Sequence, residues 1–157
     1  MEMKLKSIVL STLILFGTVG CLEPDYDRDA VRVVEVTEHG FELNGQSAVT
    51  IFVGEKNTPK FSFTMLKSDL KKGTLLQSTS NSEPNLAVSA SVGSEYYTQS
   101  ADFATSASLQ VVELDKTNKI AKIAVGAKLV NPKIKNYTEL AVTVVEVSGV
   151  NYDYLVK

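Results

Sequence analysis

Apolar and polar residues alternate along most of this chain with a period of two. Phe61, Phe63 and Met65 fall on one side of an extended segment, with Ser62, Thr64 and Leu66 on the other. Successive side chains of a strand point to opposite faces, so this pattern predicts a β-strand with one buried face. Val49, Ile51 and Val53 alternate in the same way with Ala48, Thr50 and Phe52, and Leu86, Val88, Ala90 and Val92 with Ala87, Ser89 and Ser91. Ala107, Leu109 and Val111 share a face in the run up to Asp115. Ala121, Ile123, Val125, Ala127 and Leu129 line one face, while Lys122 and Lys128 point the other way. Val31–Thr37 and Thr138–Val147 are β-branched runs of the kind that pack well on a pleated surface. Val150, Tyr152, Tyr154 and Val156 alternate to the chain end and predict a last strand, for about eight in all.

Turn chemistry separates these runs. His39-Gly40, Asn44-Gly45 and Ser148-Gly149 read as turns, the second in the Asn-Gly form favoured by tight hairpins. Asp115-Lys116-Thr117-Asn118-Lys119 joins two alternating runs and reads as a hairpin. Ser68–Gly73 is the one segment that reads as a helical turn, with Ser68 to cap its start and Gly73 to end it. It is too short to stand alone and is expected to bridge two sheets. Gln77–Asn85 is the longest polar loop. Short strands at roughly ten-residue spacing, each with one apolar face, predict an all-β fold, a single antiparallel β-sandwich, with a closed β-barrel as the alternative.

The first residues follow a different rule. Lys4 and Lys6 precede a ten-residue apolar run, Ser7–Phe16, which ends in the mostly small residues Gly17–Gly20 and then Cys21, the only cysteine. A positive start, a short apolar core and small residues before a cut mark a secretory signal. A spanning helix needs about 20 apolar residues. Thr18-Val19-Gly20-Cys21 resembles the lipobox of bacterial lipoproteins, with Thr18 where that motif prefers Leu. The resemblance covers the first 21 residues. It implies a diacylglyceryl thioether on Cys21, cleavage before it by signal peptidase II, and a membrane reached through the lipid anchor. By the same resemblance Leu22, where Asp would retain the protein at the inner membrane, implies an outer-membrane address. Residues 1–20 are then a signal peptide, 21–29 the lipidated cysteine with an acidic tether (Glu23–Asp29), and 30–157 the sandwich domain. That domain also loosely resembles small β-rich lipoproteins of unassigned function.

An acylated Cys21 leaves no thiol for a disulfide, a cysteine zinc site or thiol catalysis. Without the leader the chain has 14 basic and 17 acidic residues, a balance that argues against a nucleic-acid partner. The charge is uneven: Glu23–Glu55 holds eight acids, and Lys116–Lys135 six lysines with no acid. Lysines on strand edges and turns discourage edge-to-edge pairing, and that is the expected reading of the basic stretch, with a basic patch that meets an anionic surface or partner as the alternative.

Little in the chain points to catalysis. His39 is the only histidine, and Gly-x-Ser-x-Gly is absent. Asp25-Tyr26-Asp27-Arg28-Asp29 spaces three carboxylates like the start of a calcium loop, but Ala30 and Val36 stand where that loop needs Gly and Glu. There is no phosphate-binding loop, no dinucleotide fingerprint and no tryptophan, so no cofactor and no metal are expected. Tyr96, Tyr97, Tyr152 and Tyr154 are the candidate partner contacts, because tyrosine combines apolar area with a hydroxyl. The function expected is non-enzymatic: an envelope module that binds a protein or glycan partner. Two alternatives stand beside it, an inhibitor or immunity-type protein acting through Gln77–Asn85, and a hydrolase with dispersed carboxylates.

Overall fold

A computed structural model describes residues 31–37, 42–55, 58–79 and 85–157. The leader, Cys21, the acidic tether, His39-Gly40 and residues 80–84 of the polar loop lie outside the described residues. The described residues form ten strands and one short α-helix: β1 (Val31–Thr37), β2 (Glu42–Leu43), β3 (Gln46–Glu55), β4 (Thr58–Leu66), β5 (Leu75–Ser78), β6 (Leu86–Val92), β7 (Glu95–Thr98), β8 (Ser106–Asp115), β9 (Ile120–Asn131), β10 (Asn136–Ser148) and α1 (Val150–Val156).

The strands make two facing layers of an antiparallel β-sandwich. One layer runs β1-β3-β4-β6-β7 and the other β10-β9-β8-β5. β6 approaches β5, β8 and β9 across the interior. The layers join where β1 pairs with β10, Val31 opposite Val145 and Arg32 opposite Glu146; this pair is parallel. On the opposite side β7 meets β9 at one register pair, Thr98 with Val130, beside a 2.6 Å bond from Asn131 Nδ2 to Glu95 Oε2. One bridge does not continue a sheet, so the structure is not closed into a barrel.

The alternating residues do what their pattern predicts. Val49, Ile51, Val53, Phe61, Phe63, Met65, Leu86 and Val88 from one layer meet Leu109, Val111, Ile123, Val125, Leu129 and Val145 from the other in one buried cluster. The outward residues of the first layer pair by hydroxyls: Thr50 with Thr64 at 2.8 Å and Ser62 with Ser89 at 2.9 Å. Such cross-strand pairs contribute about 0.2–1 kcal/mol each.

The turns follow their chemistry. Asn44 and Gly45 both have positive φ, 53° and 72°, the geometry of a two-residue hairpin that Asn and Gly tolerate best. At the β8–β9 hairpin Asp115 Oδ1 accepts from the N–H groups of Thr117 (2.8 Å) and Asn118 (2.9 Å), and Oδ2 accepts from Asn118 Nδ2 (2.7 Å). The backbone bond from Asn118, followed by its side-chain bond, favours the ionised carboxylate and holds the Asp115 pKa below the ordinary value.

Two expectations are corrected. Helical structure after β4 is a 3-10 turn over Lys67–Asp69 whose N-cap is Leu66, with no side-chain cap bond, so Ser68 does not start it. It does carry the chain from one layer to the other, as expected, and Gly73 follows it at φ 87°. The last segment is not a strand. Gly149, at φ 60°, turns the chain out of β10, and Val150–Val156 coil into α1. Tyr152 and Leu155, three apart, then fall on one helical face and enter the core cluster.

The Tyr152 hydroxyl is buried there without a hydrogen-bond partner. An unpaired buried hydroxyl costs about 1–3 kcal/mol. Tyr152→Phe is therefore expected to raise stability by about 1 kcal/mol, read as a higher urea midpoint at unchanged slope; a fall would mean that the hydroxyl finds a partner in solution.

Candidate functional site

Both layers turn a hollow face outward, and the hollows arise from side-chain size. On the second layer three outward positions of β8 and β9 are short, Ser106, Ser108 and Gly126, with the longer Gln77 of β5 opposite Ser108 and Lys128 opposite Ser106. β10 supplies the far wall. Its register to β9 shifts by one residue between Leu140 and Thr143, so that Ala141 and Val142 together stand opposite Gly126, with Val142 against it. A Cβ at Gly126 would lie 3.0 Å from Val142 Cγ2 and 3.4 Å from Val142 Cα, so the bulge depends on glycine there. The groove so formed has a volume of about 710 Å³, within the span of about 300–1,000 Å³ that small-ligand sites occupy.

Its floor is neutral and its end is charged. Lys128 and Glu139 face each other across β9 and β10, and the Lys128 ammonium sits 5.1 Å from the centre of the Tyr137 ring. Such a contact steadies a cation at a surface by about 0.5–1 kcal/mol. Val142 on one wall and Leu75 one row beyond are exposed apolar residues.

The first layer carries a second, shallower depression over β3, β4, β6 and β7, in two adjoining parts of about 280 and 170 Å³. Phe52 and Tyr96 flank it, and hydroxyls floor it. Gln99, just past the end of β7, lines it and is 2% exposed. Its Oε1 accepts from Val88 N–H at 2.6 Å, continuing the ladder where β7 stops, while its Nε2 has no partner.

The four candidate tyrosines do not form one surface. Tyr96 and Tyr154 are exposed, but Tyr97 (6% exposed) and Tyr152 (3%) point into the core and are withdrawn from any contact role. For Tyr96 and Tyr97 the reason is elementary: adjacent strand residues face opposite ways. Tyr96 borders the first-layer depression, whereas Tyr154 belongs to α1, which packs on β1 and β10.

The basic stretch is partly matched within the fold. Lys119 Nζ lies 2.9 Å from Asp153, tying the β8–β9 turn to α1, and Lys122 Nζ lies 3.3 Å from Glu113. Three of its lysines therefore meet carboxylates or a ring. Among the described residues no three His, Cys, Asp or Glu come together in a group that could hold a metal ion. The three hollows carry one carboxylate between them, Glu139.

Fold and surface thus define an all-β sandwich with open outward grooves. No family model, curated protein or solved structure gives a significant match to the chain.

Proposed function

We propose that this chain is a lipid-anchored protein of the bacterial envelope, held at the outer membrane, and that its sandwich is a binding or assembly module for an envelope protein or glycan. The anchor rests on Thr18-Val19-Gly20-Cys21 and the apolar run before it. The binding role rests on one observation, the open groove of about 710 Å³ across β5, β8, β9 and β10. Its lining of serines, a glycine, one lysine and one glutamate offers shape and hydrogen bonds to a docked surface. One acyl chain holds a protein to a bilayer only marginally and two or more hold it stably.

Two measurements test the two halves. The N-terminal peptide of protein purified from membranes should begin at Cys21 and carry two or three acyl chains, and Cys21→Ser should shift the protein from the membrane to the soluble fraction with its melting temperature unchanged. An unmodified Cys21 would end the anchor reading. For the groove, a photoreactive residue placed at Ser108 in the membrane-bound protein should yield a discrete crosslinked species that the same residue at exposed Lys71 does not. Equal crosslinking at both positions would remove the groove from the function.

A further inference from the structure

The outward face of the first layer has an unusual composition for strands that face water. Thr50 stands opposite Thr64, and Thr64 opposite Ala87; one row along, Phe52, Ser62, Ser89 and Thr98 follow one another across four strands. None of the residues lining either part of the depression is charged. An anionic ligand would find no cation here and a metal ion no carboxylate. The lining offers hydroxyls and the rings of Phe52 and Tyr96, with Phe61 and Gln99 buried beneath.

The polar groups are held in place from beneath. In the Ser62–Ser89 pair one hydroxyl donates to the other across 2.9 Å, which leaves one O–H and several lone pairs for a ligand. Gln99 lies beneath them. Burial fixes the side chain, the bond from Val88 N–H fixes which end is oxygen, and the Nε2 donor is left without an acceptor. That amide is itself out of reach of solvent and braces the floor of the depression, so the groups a ligand meets are the hydroxyls and rings around it. Beside it Phe52 is half-buried, and Tyr96 stands 57% exposed at the rim, shared by both parts of the depression.

Aromatic faces beside a fixed array of neutral donors and acceptors suit a ring with apolar C–H faces and a polar edge. We propose that this face of β3, β4, β6 and β7 is a subsite for a neutral saccharide. Tyr96 and Phe52 lie against the C–H faces of the sugar rings, while the Ser62–Ser89 pair takes its hydroxyl or N-acetyl oxygens and buried Gln99 holds the floor beneath. The assignment stands apart from the lipid anchor and from the groove on the other layer.

The test is an amide NMR titration of the protein with three soluble tetrasaccharides: β-1,4-linked N-acetylglucosamine, β-1,4-linked glucose and α-1,4-linked glucose. At least one is expected to shift the Gln99 side-chain amide and the backbone amides of Ser89 and Tyr96, saturating by about 10 mM as a millimolar dissociation constant requires. Tyr96→Ala and Ser89→Val should each weaken that binding about tenfold while the melting temperature stays within a few degrees. Because Tyr96 is exposed, its loss leaves the fold intact, so a folded Tyr96→Ala protein that binds as well as the parent overturns the proposal. It is equally overturned if none of the three sugars moves those signals, or if the shifts fall instead on Ser108, Gly126 and Lys128.

Discussion

Phe63→Ala is expected to cost about 3–5 kcal/mol of folding stability, the range for removing a fully buried phenylalanine. Phe63 is 0% exposed and sits in the middle of β4, opposite Ile51 on β3 and Val88 on β6. Its ring fills the space between the two layers, and the β-structure around it is anchored on both sides and cannot collapse into the hole. The sequence holds a single cysteine, so no disulfide within the chain limits its unfolded state. Domains of this kind are stable by about 5–15 kcal/mol, so the loss is a large fraction of the whole. Urea denaturation should show a much lower midpoint at unchanged slope. Lys60→Ala, on the same strand but exposed, should stay within about 0.5 kcal/mol. A loss below about 1 kcal/mol for Phe63→Ala would mean that the two layers do not meet around that ring.

The strands that the sequence makes legible are those long enough to show their period. β4 and β6 each place three apolar residues on one face, and a one-residue slip would turn all three to water. β5 and β7 are four residues each, with Leu76 and Ser78 inward on one and Tyr97 on the other. One or two alternations carry little signal, and neighbouring strands, not local pattern, set their place. β2 is two residues long and is visible only through its Asn-Gly turn. The pairing of β1 with β10 joins segments more than a hundred residues apart, and nothing local encodes its parallel direction.

The grooves were illegible for a related reason. Ser62 and Ser89 meet across 27 positions of sequence, and Ser108 and Gly126 meet because the β8–β9 hairpin fixes their register. In each strand these residues read as the ordinary polar side of an alternation. Only the register stacks them into a hollow, and only the shift in β10 raises Val142 as its wall. The tyrosines show the converse. Tyr96-Tyr97 looks like an aromatic pair in sequence, yet the strand period sends one ring to the depression and the other to the core.

The end of the chain separates two readings of one pattern most sharply. As a strand, Val150–Val156 would bury Val150, Tyr152, Tyr154 and Val156 together. As α1 it buries Tyr152 and Leu155 and leaves Val150 (70%), Tyr154 (46%) and Val156 (45%) exposed. The helix prevails because Gly149, at a backbone angle that glycine adopts most readily, breaks the β10 line. The new direction lets the Tyr152–Leu155 face close the core against β1 and β10, with Lys119–Asp153 holding the outer side. Leu155→Ala is therefore expected to cost about 2–5 kcal/mol. Val156→Ala should change stability by no more than about 0.5 kcal/mol. A strand would give the opposite order, with Val156 costly and Leu155 nearly neutral. Midpoints of urea denaturation for the two variants decide between them, and equal losses would mean that neither face alone seals this end of the sandwich.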